Sequence, residues 1–157
     1  MAKSRIEKIT KSEYEQKLLE VRRVTRVVAG GKRLSFRVAI LLGDKKGKVA
    51  LGVAKGADVS IAIEKATNDA KKHFILVPIN DKGTINHEVR AKFKASKVVL
   101  KPAAEGRGII AGGAVREVLK LTGLKNVMAK LIGTTTNKIN NAQAAIEALK
   151  KIKAKNI

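Results

Sequence analysis

The chain has 157 residues, 45% of them hydrophobic, and sets 34 Lys and Arg against 13 Asp and Glu for a formal net charge of +21. That apolar content can bury a core in one ordinary domain or two small ones, and the charge far exceeds the roughly 2 to 8 units that keep a small domain soluble, so a polyanionic partner is expected. The absence of cysteine excludes disulfides and thiolate metal sites, no stretch approaches the ~20 apolar residues of a membrane span, and MAKSRIEKIT lacks the apolar core of a signal peptide.

In chain order, residues 1–17 read as a charged N-terminal extension, frayed or briefly helical. LLEVRRVTRVVA then predicts a strand carrying Arg22, Arg23 and Arg26, broken by Gly30 and Gly31. KRLSFRVAILL has a period of two: Leu34, Phe36, Val38, Ile40 and Leu42 share one face, and Arg33, Ser35 and Arg37 the other. This strand is expected to bury one side and expose arginine on the other. GDKKGK is a turn, because Gly43 and Gly47 accept positive φ and Asp44 can bond its own backbone. VALGV returns as a third strand.

From Asp58, a candidate N-cap, the period becomes helical through Val59, Ala62, Ile63, Ala66, Ala70 and Phe74, with Lys65, Lys71 and Lys72 on the polar side. ILVPI is a short strand that Pro78 confines to an edge or end. The turn NDKG at 80–83 marks a boundary, giving a first domain over 18–80 and a second over 81–157. In the second, Ile85, Val89, Ala91 and Phe93 point inward, and SKVVLKP adds a strand. A helix to about Leu121 stopped by Gly123 follows, then a strand through NVMAKLI. A last helix after Asn140 carries Ala142, Ala145, Ile146, Leu149 and Ile152.

EGRGIIAGGAVREVL at 105–119 carries Gly106, Gly108, Gly112 and Gly113 into a helix, a pattern that can hold phosphate on free backbone N–H groups. It lacks the Gly-Lys-Ser/Thr of a P-loop and the third glycine of a dinucleotide loop, where Ala111 stands instead. The alternative is a tight turn in which close packing forbids a side chain. The acids Asp81, Glu88, Glu105, Glu117 and Glu147 are scattered, and His73 and His87 lie in separate segments, so no catalytic residues, cofactor or metal are expected. With only Tyr14, Phe36, Phe74 and Phe93 as aromatic residues, recognition of RNA shape and phosphate is favoured over base stacking. The three phenylalanines are expected in the core.

GGKRLSFRVAILLGDKKGKVALGVAKGADVSIAIEKATNDAKK, then ILVPI, then KVVLKPAAEGRGIIAGGAVREVLKLTGLKNVMAKLIG resemble the bacterial small-subunit ribosomal protein five family, in one register from about Leu18 to Ile152. The resemblance implies an α+β fold of two small domains. The first is a double-stranded-RNA-binding-like antiparallel sheet with a helix, and the second a β/α domain of the kind shared with GHMP-type kinases. It implies a non-enzymatic, ribosome-bound cytoplasmic protein that binds small-subunit (16S) rRNA where body meets head. Its neighbours would be small-subunit proteins four and eight and the messenger RNA path into the subunit, with roles in assembly and decoding accuracy. A stand-alone protein that binds structured RNA is the alternative.

By the same resemblance, the glycine-basic loop Gly30, Gly31, Lys32 and Arg33 reaches rRNA near the head and corresponds to the family's spectinomycin-linked region. Arg22, Arg23, Arg26 and Arg37 supply the basic sheet surface, and Lys45, Lys46, Lys48 and Lys55 further phosphate contacts. Gly106, Gly108 and Arg116 carry the contact with protein four. The sequence departs from the family's usual pattern at Arg107, where a small polar residue is common and where an added charge suits RNA. It also departs at Ala29, where Lys is common, and at Lys138, where Pro is common.

Overall fold

A computed structural model describes residues 14–153. Two four-stranded sheets are built in succession, each with its own helices. In the first, β1 (Glu15–Val28), β2 (Gly31–Gly43) and β3 (Lys48–Gly56) form an antiparallel meander, and β4 (Ile75–Leu76) pairs with the outer edge of β3. The expected N-terminal extension lies outside the described residues up to residue 13. Its last three residues are instead already in β1, because Glu15, Gln16 and Lys17 pair with Gly43, Leu42 and Leu41.

Helix α1 (Val59–Ala70) covers one face of this sheet, where Val38, Ile40, Leu42 and Ala50 pack on Ala62, Ala66 and Ala70. Alanine suits this seam because α1 lies very close to β3: a Cβ on Gly52 would fall 2.0 Å from the Ala66 carbonyl oxygen. Asp58 occupies the N-cap position, but its side chain makes no capping bond. Lys71 and Lys72, expected on the helix, lie just beyond its end.

The second sheet has the order β5 (Val89–Phe93), β6 (Ser96–Pro102), β8 (Val127–Leu131), β7 (Ile109–Ile110). Its pairs are antiparallel except β7 with β8. The two-residue β7 was not anticipated. Helix α2 (Gly113–Thr122) ends on Gly123, which adopts φ 93 as its cap. Helix α3 (Lys138–Lys150) starts before Asn140, the expected boundary, because the Asn137 carboxamide oxygen accepts from the Ile139 and Asn140 N–H groups and fixes the first turn.

The two helices lie between the sheets, which corrects the expectation for β2. Arg33, Ser35 and Arg37 do share a face, but on that face Ala39 is buried and Leu41 is buried in a cluster with the second domain. Leu41, Val49 and Val77 belong to the same apolar cluster as Leu100, Val118, Leu119 and Leu149. For the same reason α3 is buried nearly all round, through Ala142, Ala144, Ala145 and Ala148. Main-chain bonds close the joint: the Lys45 and Gly47 N–H groups donate to the Leu121 and Thr122 carbonyls at the end of α2, at 3.0 and 2.9 Å. The β2–β3 turn thus satisfies carbonyls that every helix C-terminus leaves open.

Candidate nucleic-acid interface

Beyond the pair Phe36–Gly56 the sheet narrows to two strands, so β1 and β2 continue alone for five residues of β2, roughly 17 Å. At the tip Val28 pairs with Gly31, and Gly30 turns the chain at φ 84, a conformation that glycine adopts without strain. This ribbon leaves Val27 76% and Leu34 50% exposed. A bare two-stranded ribbon is marginal in water by itself.

Register sorts the predicted basic residues onto two faces. Arg22 stands opposite Arg37, which stands opposite Lys55, and toward the tip Arg26 stands opposite Arg33. These five cations share the face that the second domain covers only at its base. The acid among them, Glu20, lies 2.7 Å from Arg22 and 4.0 Å from Arg37. Like charges directly across a sheet are destabilising, and Glu20 offsets this at Arg22 and Arg37. Arg23, opposite Phe36, and Lys32, opposite Val27, are on the reverse face. Lys32 and Arg33 therefore point to opposite sides of the ribbon.

Lys45, Lys46 and Lys48 are exposed, but they sit in the β2–β3 turn, at the other end of a 13-residue strand and roughly 40 Å from the hairpin tip. The Asp44 carboxylate shapes this turn by accepting from the Lys46 and Lys48 N–H groups at 2.7 and 2.9 Å. Lys45 Nζ pairs with Glu15 at 2.5 Å. Its charge beside the C-terminus of α2 also complements the helix dipole. The turn thus has a structural role whether or not its lysines meet phosphate.

The glycine segment resolves into two parts. Gly106 and Gly108 form a turn after β6 with φ of 84 and 71, and Gly112 is the N-cap of α2, with β7 between them. A Cβ at Gly106, Gly108 or Gly113 would meet nothing within 4 Å, so these glycines do not answer to close packing. Gly106 and Gly108 answer to backbone conformation, and the space before them is open. Arg107, Arg116 and Ile110, in the same segment, are exposed.

Sequence reasoning missed Asn126, which is buried and holds the loop. Its Oδ1 accepts from the Gly108 N–H at 3.2 Å, and its Nδ2 donates to the Lys82 carbonyl at 3.0 Å. Its own N–H and that of Lys125 donate to the Gly83 carbonyl, tying the 80–83 turn to the loop. The only sequence signal for it is a polar residue just before an apolar strand.

Among titratable groups, Glu88 is held below the usual carboxylate range, first by hydrogen bonding to Arg90 and then to Lys101. Among the described residues no three His, Asp or Glu side chains gather to hold a metal ion, and no helix is long and apolar enough to cross a membrane.

Comparison with known proteins gives one consistent result. Residues 14–78 match the family model for the ribosomal protein S5 N-terminal domain, and residues 91–156 the model for its C-terminal domain. A small ribosomal subunit protein uS5 of Thermotoga neapolitana is 51% identical over 140 residues, covering 89% of this chain and 78% of that protein. Protein uS5c of Rhodomonas salina is 46% identical over 142 residues, covering 90% and 84%. Protein uS5 of a Picosynechococcus strain is 44% identical over 147 residues, covering 94% and 84%.

Proposed function

From the premise that the chain belongs to the ribosomal protein S5 family, whose members are structural and not enzymatic, we propose that it is a constituent of the small ribosomal subunit that holds small-subunit rRNA on the arginine face of its hairpin. The row Arg22, Arg37 and Lys55, continued by Arg26 and Arg33, carries this reading. It is a row of cations at cross-strand spacing, which suits a phosphate backbone. Reverse-face Arg23 and Lys32, with the Gly30–Gly31 tip, let the ribbon enter a groove and meet phosphates on both sides.

The open patch of Gly106, Arg107, Gly108, Ile110 and Arg116 is the surface for a neighbouring protein, for which the sequence resemblance suggests small-subunit protein four. Exposed Ile110, with exposed Arg107 and Arg116 in the same segment, supplies the apolar and arginine side chains expected at such a contact. Protein eight, the messenger RNA path, assembly and decoding accuracy belong to the same reading and rest on the family resemblance. The turn 80–83 is the boundary between the two domains in this reading.

Sedimentation of tagged protein through a high-salt sucrose gradient tests the assignment. Co-migration with small subunits and their rRNA is expected, whereas a pool that stays at the top of the gradient and binds any short duplex would favour the stand-alone RNA-binding alternative. Replacing both Arg26 and Arg33 with alanine should flatten the slope of log affinity against log salt by up to about 2, close to one for each phosphate that is no longer neutralised. An unchanged slope would show that this face touches no phosphate.

A further inference from the structure

We propose that the cleft between the arginine face and the second domain receives a single unstacked RNA base. This rests on the RNA-binding reading above and adds a base subsite to a surface otherwise suited to phosphate. The cleft, of about 370 Å³, lies within the roughly 300–1,000 Å³ of small-molecule sites. Its apolar lining comes from Leu51 and Val53 of β3 and Ile139 of α3. Around it stand Arg37, Asp69, Phe93, Asn140 and Gln143, with Lys94 at the rim.

The chemistry of this lining fits a flat heterocycle with a polar edge. Phe93, expected in the core, is partly buried against the apolar cluster and also contributes to the cleft wall. RNA bases freed from a helix are held by stacking on such rings or on arginine planes, with hydrogen bonds to their edges. Asn140 supplies an amide donor and acceptor, and Gln143 its amide oxygen, since its Nε2 donates to Glu147 Oε1 at 3.3 Å. The Asp69 carboxylate opposes a phosphate in the same space, but it can accept from the exocyclic amine of adenine, cytosine or guanine. Arg37 belongs at once to the cleft and to the cation row, so a backbone following the row passes directly over the opening.

The walls are fixed in advance. Ser96 Oγ donates to the buried Asn141 Oδ1 at 2.6 Å, pinning the β5–β6 hairpin to α3, and Asn141 Nδ2 donates to the Thr135 carbonyl at 3.2 Å. The Val53 N–H donates to Asp69 Oδ2 at 3.2 Å, holding that carboxylate at the edge of β3. Lys94, at φ 51, holds its exposed ammonium over the Phe93 ring, 5.6 Å from its centre; an entering base takes that place on the ring and leaves the ammonium to neutralise the phosphate attached to it.

Fluorescence anisotropy with three labelled RNA hairpins tests the proposal in the full-length protein. One carries a single bulged adenosine, one an abasic residue at the same bulge, and one is fully paired. The adenosine bulge should bind roughly 5- to 150-fold tighter than the abasic one, the range measured for one base stacked on an aromatic residue. Phe93→Leu should remove most of that preference and leave the salt slope intact. Asn140→Ala, a half-exposed substitution with little demand on folding, should reduce the preference independently. Equal affinity for adenosine and abasic bulges, with the salt dependence retained, would overturn the base subsite while leaving the RNA-binding reading in place. Failure to bind any of the three at low salt would instead overturn that reading and the subsite with it. In salt-washed small subunits, ultraviolet crosslinking should join Phe93 to an rRNA base, and a crosslink to a neighbouring protein there would refute the proposal.

Discussion

Replacing Gly123 with alanine puts the joint between the two domains to the test. Gly123 caps α2 at φ 93, and a Cβ there would fall 2.1 Å from the Lys45 carbonyl oxygen and 2.5 Å from its carbonyl carbon. The left-handed conformation alone costs alanine roughly 1–2 kcal/mol. Moving the opposing backbone out of contact adds about 1–3 kcal/mol. The two bonds from the Lys45 and Gly47 N–H groups to the end of α2 are then lengthened, at about 0.5–1.5 kcal/mol each. Because these effects overlap, the expected loss is about 3–6 kcal/mol, a large part of the roughly 5–15 kcal/mol that stabilises a typical domain. Urea unfolding followed by circular dichroism should show the midpoint falling, and thermal unfolding should lose roughly 10–20 °C. Gly113→Ala is the control, since its Cβ meets nothing within 4 Å and its φ is not positive, so it should be neutral or stabilising by up to about 1 kcal/mol. If Gly123→Ala costs less than about 1 kcal/mol, the domains are not joined through this contact as argued.

Three further outcomes are expected. Gly52→Ala should force α1 off β3, because the new Cβ would lie 2.0 Å from the Ala66 carbonyl oxygen and 2.7 Å from the Ala70 nitrogen, and should cost about 1–3 kcal/mol by equilibrium unfolding. Asn126→Ala leaves the Gly108 N–H and the Lys82 carbonyl without their partner, so the 104–108 turn should lose amide-exchange protection and overall stability should fall by about 1–3 kcal/mol. Glu88, with its pKa lowered in the folded state by Arg90 and Lys101, contributes stability that is present above the ordinary value of 4.5 and lost as pH falls through its lower folded value. Glu88→Gln should therefore flatten the pH dependence of stability below about pH 4.5 and leave it unchanged at neutral pH, as acid titration of the unfolding midpoint would show.

What was legible from the sequence follows the range of the interactions involved. The period of two in β2 placed Arg33 and Arg37 on one face and Val38, Ile40 and Leu42 on the other, because strand geometry alone fixes that alternation. It could not reveal that Leu41, on the arginine face, is buried by residues some 80 to 110 positions further along, such as Leu119 and Leu149. In α3 the stripe from Ala142 to Leu149 was readable, though Ile152, read as its last member, lies beyond the helix end, whereas burial of Ala144 and Ala148 follows from a second sheet packed on the reverse side. Two-residue β7 is too short to carry a period, and it exists because β8 offers it a parallel edge. Asn126 was hidden because its partners lie 18 and 44 residues away. Phe93 follows its inward alternation and packs against the apolar cluster, but it is only partly buried because the inward side at that level also opens into a cleft.

The shared cluster also bears on how the chain is made. Leu41, Val49 and Val77 leave the synthesising machinery before the helices that cover them, since α2 and α3 begin at residues 113 and 138. A nascent chain ending near residue 80 has its α1 seam complete but carries an uncovered apolar patch beside a row of unneutralised arginines. Such a species is prone to self-association, and domains that finish late remain exposed for as long as translation takes, at about 5–20 residues per second. Polyanionic RNA bound early to the arginine row would add charge and bulk beside that patch before the second half arrives to cover it.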